Sequence, residues 1–271
     1  MSYHSPRRDD RNPPANNRQL LTLLALFLGS LFAVIWGFGL LLNNLVYWIP
    51  VSVEQRLGQL IVPAYEAEAK DGPAQSSLNQ LLDRLQSNLD PEQSQDRNYQ
   101  VLYVPKPTVN ALAIPGDTIV LYRGLIEAAE SENELMMVLG HELGHFANRD
   151  HLRGLGQNII VRVAIASVIG NNGAIEALIG GAIANLSQSH YSQSQEKQAD
   201  RFGLTLLNKT YGYVAGATDF FERMAKKERA NIAFLSTHPA PKDRVKNLEK
   251  LIEERKYEIG KRSPLPESLL F

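Results

Sequence analysis

The first pattern along the chain is an apolar run near its beginning. Residues 20–42 are 23 consecutive residues without a charge, and a helix needs about 20 apolar residues to cross a bilayer. A secretory signal peptide would have a shorter apolar region followed by a small-residue cleavage site, and residues 43–50 offer no such site. The pattern therefore predicts one uncleaved transmembrane helix, with Tyr47 and Trp48 at the membrane interface.

After this run, apolar residues recur mainly at helical spacing. The spacing predicts helices at residues 74–90, 132–148, 192–208, 213–230 and 245–257. Ser131 and Glu134 form a capping box at the start of the second of these helices. Residues 99–104 and 110–126 predict three short strands, two of them around a turn at residues 115–117. Residues 51–71 are expected to be a helical or irregular connector, and the prolines of residues 236–241 predict a loop. The expected fold class is mainly α with a small β-sheet (α+β).

A second apolar region lies within residues 155–189. Its two halves, residues 159–170 and 174–186, are each too short to span a bilayer. Each half also carries one charge, Arg162 or Glu176. One interpretation is a helical hairpin that covers a site or dips into the membrane interface, and simple core packing is an equal alternative.

Charge defines the organisation of the chain and excludes one class of partner. The 271 residues carry 28 basic and 29 acidic side chains, a formal net charge of −1, so no basic excess indicates nucleic-acid binding.

Four arginines precede the apolar run, and the first 20 residues after it hold only Arg56. The positive-inside rule therefore places the N-terminus in the cytoplasm and the rest in the periplasm or another extracytoplasmic space. We predict a disordered cytoplasmic tail at 1–19, an anchor in membrane lipid at 20–42, one folded domain at 51–257 and a C-terminal tail at 258–271.

The candidate chemistry begins with an HExxH motif, His141-Glu142-Leu143-Gly144-His145, inside the predicted helix at residues 132–148. Residues four apart share one helix face, so His141 and His145 can bind one metal ion together. Glu142 lies beside them and can take a proton from a water that the metal activates, which is the mechanism associated with this motif. The chain has no cysteine, so a zinc site must use histidine and carboxylate ligands, which suits catalytic zinc.

Two residues compete for the role of third metal ligand. Glu196 lies in the predicted helix at residues 192–208, and Asp200 one turn later could accept a hydrogen bond from a ligand imidazole. His151 lies ten residues after His141, which is the spacing of the HExxHxxGxxH motif, with Asn148 in place of its glycine. The sequence favours Glu196 and keeps His151 as the alternative.

Four further residues are candidates for contact with substrate. His238 and Arg244 could donate hydrogen bonds to a developing oxyanion. Equally, His238 could cap the last helix and Arg244 could form a structural ion pair. Asn110 and Ala111 are candidates for a strand edge that binds substrate main chain as an added strand, and an ordinary hairpin is the alternative.

Four blocks of the sequence resemble the HtpX-like metallopeptidases, a family that includes the CAAX prenyl proteases. The blocks are NALAIPGDTIVLYRGLI at residues 110–126, HELGHFANRDH at 141–151, QEKQADRFG at 195–203 and STHPAPKDR at 236–244. The resemblance covers about residues 60–255. With a single anchor, the layout is closest to the small BepA-, LoiP- or Oma-like members.

The resemblance implies a zincin-type domain of the gluzincin class with one zinc ion. The implied ligands are His141, His145 and Glu196, with Glu142 as general base. Asp200 matches the acid that follows the third ligand, and the family's His-Pro…Arg block supports roles for His238 and Arg244. The chain departs from the family's usual pattern at Asp117, where a glycine is expected, and at Gln198, where a glutamate is expected.

The resemblance further implies a membrane-anchored zinc endopeptidase that cleaves misfolded membrane or envelope proteins in protein quality control. A catalytically silent chaperone or adaptor with the same fold is the alternative, and a metal-free helical interaction protein is a third hypothesis. A further hypothesis is that the enzyme is latent. In this state residues 155–189 cover the cleft and His238 occupies the open zinc position.

Overall fold

The computed structural model describes residues 16–155, 186, 190–227 and 232–271. The chain forms two compact units, Met1–Leu45 and Val46–Phe271. Several sequence predictions lie outside the described residues: most of the N-terminal tail, the apolar region at 156–185, the end of the predicted helix at 213–230 and the side chain of Tyr47.

The first unit contains helix α1, Asn17–Leu45. Asn16 begins it by accepting a hydrogen bond from the Arg18 amide at 2.7 Å, as N-cap residues do. By length and composition, its Asn17–Gly37 segment could cross a membrane. The described apolar side chains of this segment are exposed, which confirms the predicted N-terminal apolar helix.

The second unit begins with a 3₁₀ turn and three helices. The turn is Val46–Trp48, and the helices are α2 (Val51–Glu66), α3 (Pro73–Gln86) and the short α4 (Pro91–Ser94). The predicted connector at residues 51–71 is therefore largely helical. Helix α3 buries its leucines against the main core, as their helical spacing predicted.

A three-stranded sheet follows, in the order β1-β3-β2. The strands are β1 (Gln100–Val104), β2 (Ala111–Ile114) and β3 (Thr118–Tyr122). Strand β3 pairs parallel with β1 and antiparallel with β2. Alternate residues point to opposite faces, so Ala111 and Ala113 meet the main core while Leu112 and Ile114 meet a second apolar cluster that includes residues of α2.

Seven helices complete the described part of the unit. They are α5 (Arg123–Ala128), α6 (Glu132–Ala147), α7 (Asp150–Leu155), α8 (Gln193–Tyr211), α9 (Asp219–Lys226), α10 (Ala233–Thr237) and α11 (Pro241–Arg255). Beyond residue 255, the chain runs back over the domain. The Glu258 carbonyl accepts from Val214 at 2.8 Å, the Ser263 carbonyl accepts from Glu132 at 3.0 Å, and Leu269 is buried.

Several predicted boundaries are wrong: the helix expected at residues 74–90 ends at Gln86, and the helix expected at residues 245–257 is Pro241–Arg255. The helix expected at residues 213–230 begins only at Asp219, because Gly212 and Gly216 have positive φ values of 77° and 72° and turn the chain before it. The loop expected at residues 236–241 is shorter. Its first residues belong to α10, and Pro241 opens α11, since proline suits the first position of a helix.

Helices α6 and α8 pack backbone against backbone. A methyl group added to Gly144 would lie 2.8 Å from Ala199 Cα, and one added to Gly140 would lie 3.1 Å from Gly203 Cα. The two backbones can come this close because glycine has no side chain and alanine has only a methyl group. The contact brings the HExxH helix against the helix that carries Glu196.

Candidate active site

Four side chains from three parts of the chain converge at the α6–α8 contact. Helix α6 supplies His141 and His145, the first turn of α8 supplies Glu196, and the residue after α10 is His238. Each offers one ligand atom, and these atoms all lie within 4.8 Å of one another. All four side chains are buried.

Four of the distances between these atoms, 3.0–3.4 Å, are close to those in a tetrahedral metal site. His141 Nε2 lies 3.0 Å from His145 Nε2 and 3.2 Å from His238 Nδ1. Glu196 Oε1 lies 3.0 Å from His238 Nδ1 and 3.4 Å from His145 Nε2. Metal bonds of ~2.0–2.1 Å in a tetrahedron place neighbouring ligand atoms ~3.3–3.4 Å apart. The donor set, three imidazoles and a carboxylate, is also one that zinc accepts.

Carboxylates behind the two α6 histidines orient the rings. His141 Nδ1 lies 3.0 Å from Asp200 Oδ1, and His145 Nδ1 lies 3.0 Å from Asp150 Oδ2. A carboxylate only accepts, so we assign the ring proton to Nδ1 in each case, which leaves the Nε2 lone pair directed at the shared centre. Asp200 was predicted in this role, whereas Asp150 was missed.

Asp150 lies beyond the end of α6, where helical spacing no longer applies. Arg149 adopts a left-handed conformation with φ of 56° and turns the chain so that Asp150 faces back to His145. Asp150 Oδ1 also accepts hydrogen bonds from Gln195 at 2.7 Å and from Arg153 at 2.9 Å. These contacts fix the carboxylate that holds His145.

Arg244 lies behind the ligands rather than in front of them. Its Nε and Nη2 atoms donate to Asp200 at 2.9 and 2.6 Å, and Nη1 lies 2.8 Å from Glu196 Oε2. Its guanidinium carbon lies 4.0 Å from the centre of the Phe221 ring, a cation–π contact. The structure therefore brings Arg244 to the two acids and supports a positioning role.

Glu142 is the site carboxylate without a partner. It is fully buried, and neither of its oxygens has a hydrogen-bond partner among the described residues. The nearest positive candidate is His238, whose Nε2 atom lies 3.6 Å from Glu142 Oε1. A buried unpaired carboxylate is costly, so both oxygens are available to a group that enters the site.

The site's charges keep His141 neutral and Glu196 ionised, which are the forms that bind a metal, and they draw positive charge to His145. Burial, together with the charge of Arg244, lowers the pKa of His141 to about 4. Burial opposes ionisation of Glu196, but the charges of Arg244 and His238 outweigh it and hold the pKa of that carboxyl well below its usual range. Burial alone would lower the pKa of His145. The hydrogen bonds to Asp150 and Glu196 have the larger effect and raise the pKa of His145 to about 9. The acids around His145 thus attract a positive charge, either a proton or a metal ion.

The remaining histidines of the region lie apart from the ligand group. His151 Nε2 lies 2.7 Å from Glu54 Oε1, so this alternative third ligand has a different partner. His190 Nδ1 faces the Ser236 carbonyl. Tyr191 stacks on the His145 ring with centroids 3.8 Å apart. Its position just before a capped helix gave no signal of that contact.

Asn110 and Ala111, the predicted substrate-binding edge, stand at the start of β2 and are buried. The Asn110 side chain accepts a hydrogen bond from Thr237 Oγ1 at 3.4 Å, and Thr237 directly precedes His238. The Phe234 amide donates to the Val109 carbonyl at 3.0 Å. Helix α10 therefore lies against the beginning of this strand.

An HExxH helix, a glutamate from a second helix and an unpaired buried carboxylate define the class of metallopeptidases. The profile of peptidase family M48 matches residues 74–252. The chain belongs to peptidase family M48, and its fold is that of a metalloendopeptidase domain.

Named relatives agree with this family. The metalloprotease LoiP of Escherichia coli K12 is 33% identical over 193 residues, which are 68% of this chain and 74% of that protein. A candidate beta-barrel assembly-enhancing protease of Vibrio cholerae is 35% identical over 51% of this chain, and the mitochondrial metalloendopeptidase OMA1 of Arabidopsis thaliana is 31% identical over 56% of it. In each of these two cases the match covers 31% of the relative's length.

Proposed function

We propose that the chain is a membrane-anchored, zinc-dependent endopeptidase with one zinc ion per chain. The observation that carries the proposal is the juxtaposition of four potential ligand atoms within 4.8 Å with the unpaired, buried Glu142. The ligands proposed for the active state are His141, His145 and Glu196. A zinc ion held there would polarise a peptide carbonyl and lower the pKa of a water molecule.

The chain's own residues would supply proton transfer and orientation. Glu142 would accept a proton from the attacking water and pass it to the amine leaving group. Asp150 and Asp200 hold the Nδ1 atoms of His145 and His141. Arg244 fixes Asp200 and Glu196 together, so the ligands are oriented before substrate arrives.

His238 is proposed to close the resting site. Its Nδ1 atom lies 3.0 Å from Glu196 Oε1 and 3.2 Å from His141 Nε2, which is the place of a fourth ligand. Movement of His238 would open that position and leave its ring as a donor to the developing oxyanion. Thr237 would move with it and release Asn110, so the same change would uncover the proposed substrate-binding strand at Asn110 and Ala111.

The proposed setting is a membrane or cell envelope. The apolar helix α1 supports an anchor in lipid, and the arginines before it support a cytoplasmic N-terminus with an extracytoplasmic domain. One relative is named for beta-barrel assembly and two others are named as metalloproteases. We propose polypeptide substrates, among them misfolded membrane or envelope proteins, and a role in protein quality control.

Elemental analysis of the detergent-purified full chain tests the proposal. Wild type is expected to hold about one zinc per chain, and Glu196→Ala is expected to lose it. Glu142→Gln, which keeps the shape of the side chain, should retain zinc and lose casein cleavage. His151→Ala tests the alternative third ligand and should retain more zinc than Glu196→Ala. Zinc lost only with His151→Ala, or full activity in Glu142→Gln, would overturn the assignment.

A further inference from the structure

A second group of buried charges lies beside the metal ligands and has no place in the chemistry above. Glu54 of α2 is fully buried. Arg97 binds both of its oxygens, with Nη1 at 2.5 Å and Nη2 at 2.9 Å. Arg97 Nη1 also donates to Asp117 at 2.6 Å, and His151 Nε2 lies 2.7 Å from Glu54 Oε1.

Packing alone does not explain a charge at position 54. Helix α2 is already held by the apolar residues Leu57 and Ile61, which are buried in the second cluster. It also approaches the β2–β3 turn closely, since a methyl group added to Gly58 would lie 2.3 Å from Gly116 Cα. A buried ion pair generally stabilises a fold no more than an apolar pair of the same volume. The charge is therefore better explained by what it touches.

Glu54 is linked through His151 to His145, a proposed metal ligand. His151 lies in the first turn of α7, next to Asp150, the residue that holds His145 Nδ1 at 3.0 Å. The other ring nitrogen of His151 lies 3.4 Å from the His145 carbonyl oxygen. In a continuing helix the amide of residue 149 would donate to the His145 carbonyl. Here the Arg149 amide donates to the Phe146 carbonyl, so the regular helical bond to the His145 carbonyl is not made.

We propose that Glu54 is a positioning residue for the metal site, acting through His151. By holding the His151 ring, Glu54 fixes the first turn of α7 and so keeps Asp150 on the imidazole of His145. Arg97 keeps the Glu54 carboxylate ionised and in place. The inference rests on the proposed function, because it assumes that His145 is a metal ligand.

The same region contacts the segment that follows α1. Arg149, between the HExxH helix and α7, donates to the Val46 carbonyl at 2.9 Å and to the Ile49 carbonyl. Residues 46–54 thus contact the segment at residues 149–151 at two points, Arg149 and His151. The site depends on residues that the family profile, which begins at residue 74, does not include.

Zinc affinity measured with a competing chromophoric chelator tests the proposal on the full chain in detergent. Glu54→Gln and His151→Phe should each weaken zinc binding by about 10–100-fold, the range for groups that orient metal ligands. The double variant should be no weaker than either single variant, because both act on one contact. Asp117→Asn is the matched control: it keeps the shape of the side chain and leaves the contact between Glu54 and His151 in place, so zinc affinity should stay within about twofold of wild type.

Hydrogen exchange of the zinc-free protein provides the second readout. Amides of residues 149–155 should exchange faster in Glu54→Gln and His151→Phe, and at the wild-type rate in Asp117→Asn. Affinity and exchange unchanged in His151→Phe would overturn the proposal, as would equal losses in all three variants. If Glu54→Gln does not fold, His151→Phe decides alone. Wild type that binds no zinc would refute the proposed function, while the exchange pattern would still decide whether Glu54 holds the α7 turn.

Discussion

The close contact between α6 and α8 makes Gly144 the sharpest position at which to perturb the site. In Gly144→Ala the new methyl group would lie 2.8 Å from Ala199 Cα and 2.9 Å from the Ala199 carbonyl oxygen. Carbon atoms in contact lie ~3.5–4.0 Å apart, so α8 must move away from α6 by about 0.7 Å. Glu196 lies one turn before Ala199 on α8 and must move with it.

The displacement is small for a fold and large for a metal site. Metal–ligand distances are set to within about ±0.2 Å, so a shift of about 0.7 Å should weaken zinc binding by at least tenfold. Overpacking costs about 1–3 kcal/mol, and replacement of a helical glycine by alanine returns about 1 kcal/mol. The expected net loss in the free energy of unfolding is about 0–2 kcal/mol.

Zinc competition titration and denaturant unfolding of the same samples separate these two effects. Gly140→Ala places its methyl group 3.1 Å from Gly203 Cα, so it should give a smaller loss of affinity. Gly29→Ala on α1, whose methyl group meets no described atom within 4 Å, should leave affinity unchanged. Wild-type zinc affinity in a folded Gly144→Ala protein would refute the reasoning, because α8 would then have moved without moving its ligand.

Two further predictions concern the resting site and acid stability. His238→Ala removes both the ring that fills the fourth position and the proposed oxyanion donor, so zinc should be retained and casein cleavage should fall by about 10²–10³-fold. If the ring fills that position in about nine of ten wild-type molecules, a small zinc-directed inhibitor should bind His238→Ala about tenfold more tightly, and inhibitor affinity equal to that of wild type would contradict the closed resting state. The pKa of Glu54 is lowered from 4.5 to about 2, because His151 and Arg97 outweigh its burial. A lowered pKa stabilises the fold above the unfolded value, so about 3 kcal/mol is fully present above about pH 4.5 and is lost as pH falls towards 2. The difference in unfolding free energy between wild type and Glu54→Gln should therefore shrink as pH falls from about 4.5 towards 2, and a constant difference would exclude this contribution.

Local signals in the sequence predicted the helix and the strands on which the candidate site is built. Ser131 caps α6 by accepting from the Glu134 amide at 3.3 Å, and the helix then carries His141 and His145 to one face. Both the capping pattern and the four-residue spacing act within one helix, so neighbouring residues determine them. The strands around residues 115–117 were predicted for the same reason, since turn residues fix a hairpin locally.

Contacts between distant parts of the chain could not be predicted in this way. Glu54 and His151 are 97 positions apart, and no periodicity links the helix after the N-terminal apolar helix to the helix after the HExxH motif. Asp150 reaches His145 only because Arg149 adopts a left-handed conformation. Arginine seldom adopts that conformation, so its sequence gives no signal for the turn.

The charges around the ligand group also favour a metal enzyme over the metal-free alternative. Glu142, Asp150, Glu196 and Asp200 are buried there. Among the described residues, the buried cation that forms ion pairs with acids of this group is Arg244. Arg153 forms a further ion pair with Asp150 from the edge of the site. Two negative charges are left over. The imidazoles of the site could balance them only as imidazolium ions, whose protonated nitrogens cannot bind a metal, whereas a divalent cation would supply both missing charges. Uncompensated buried charge costs several kcal/mol per ion, so this charge balance favours a bound cation over a metal-free adaptor.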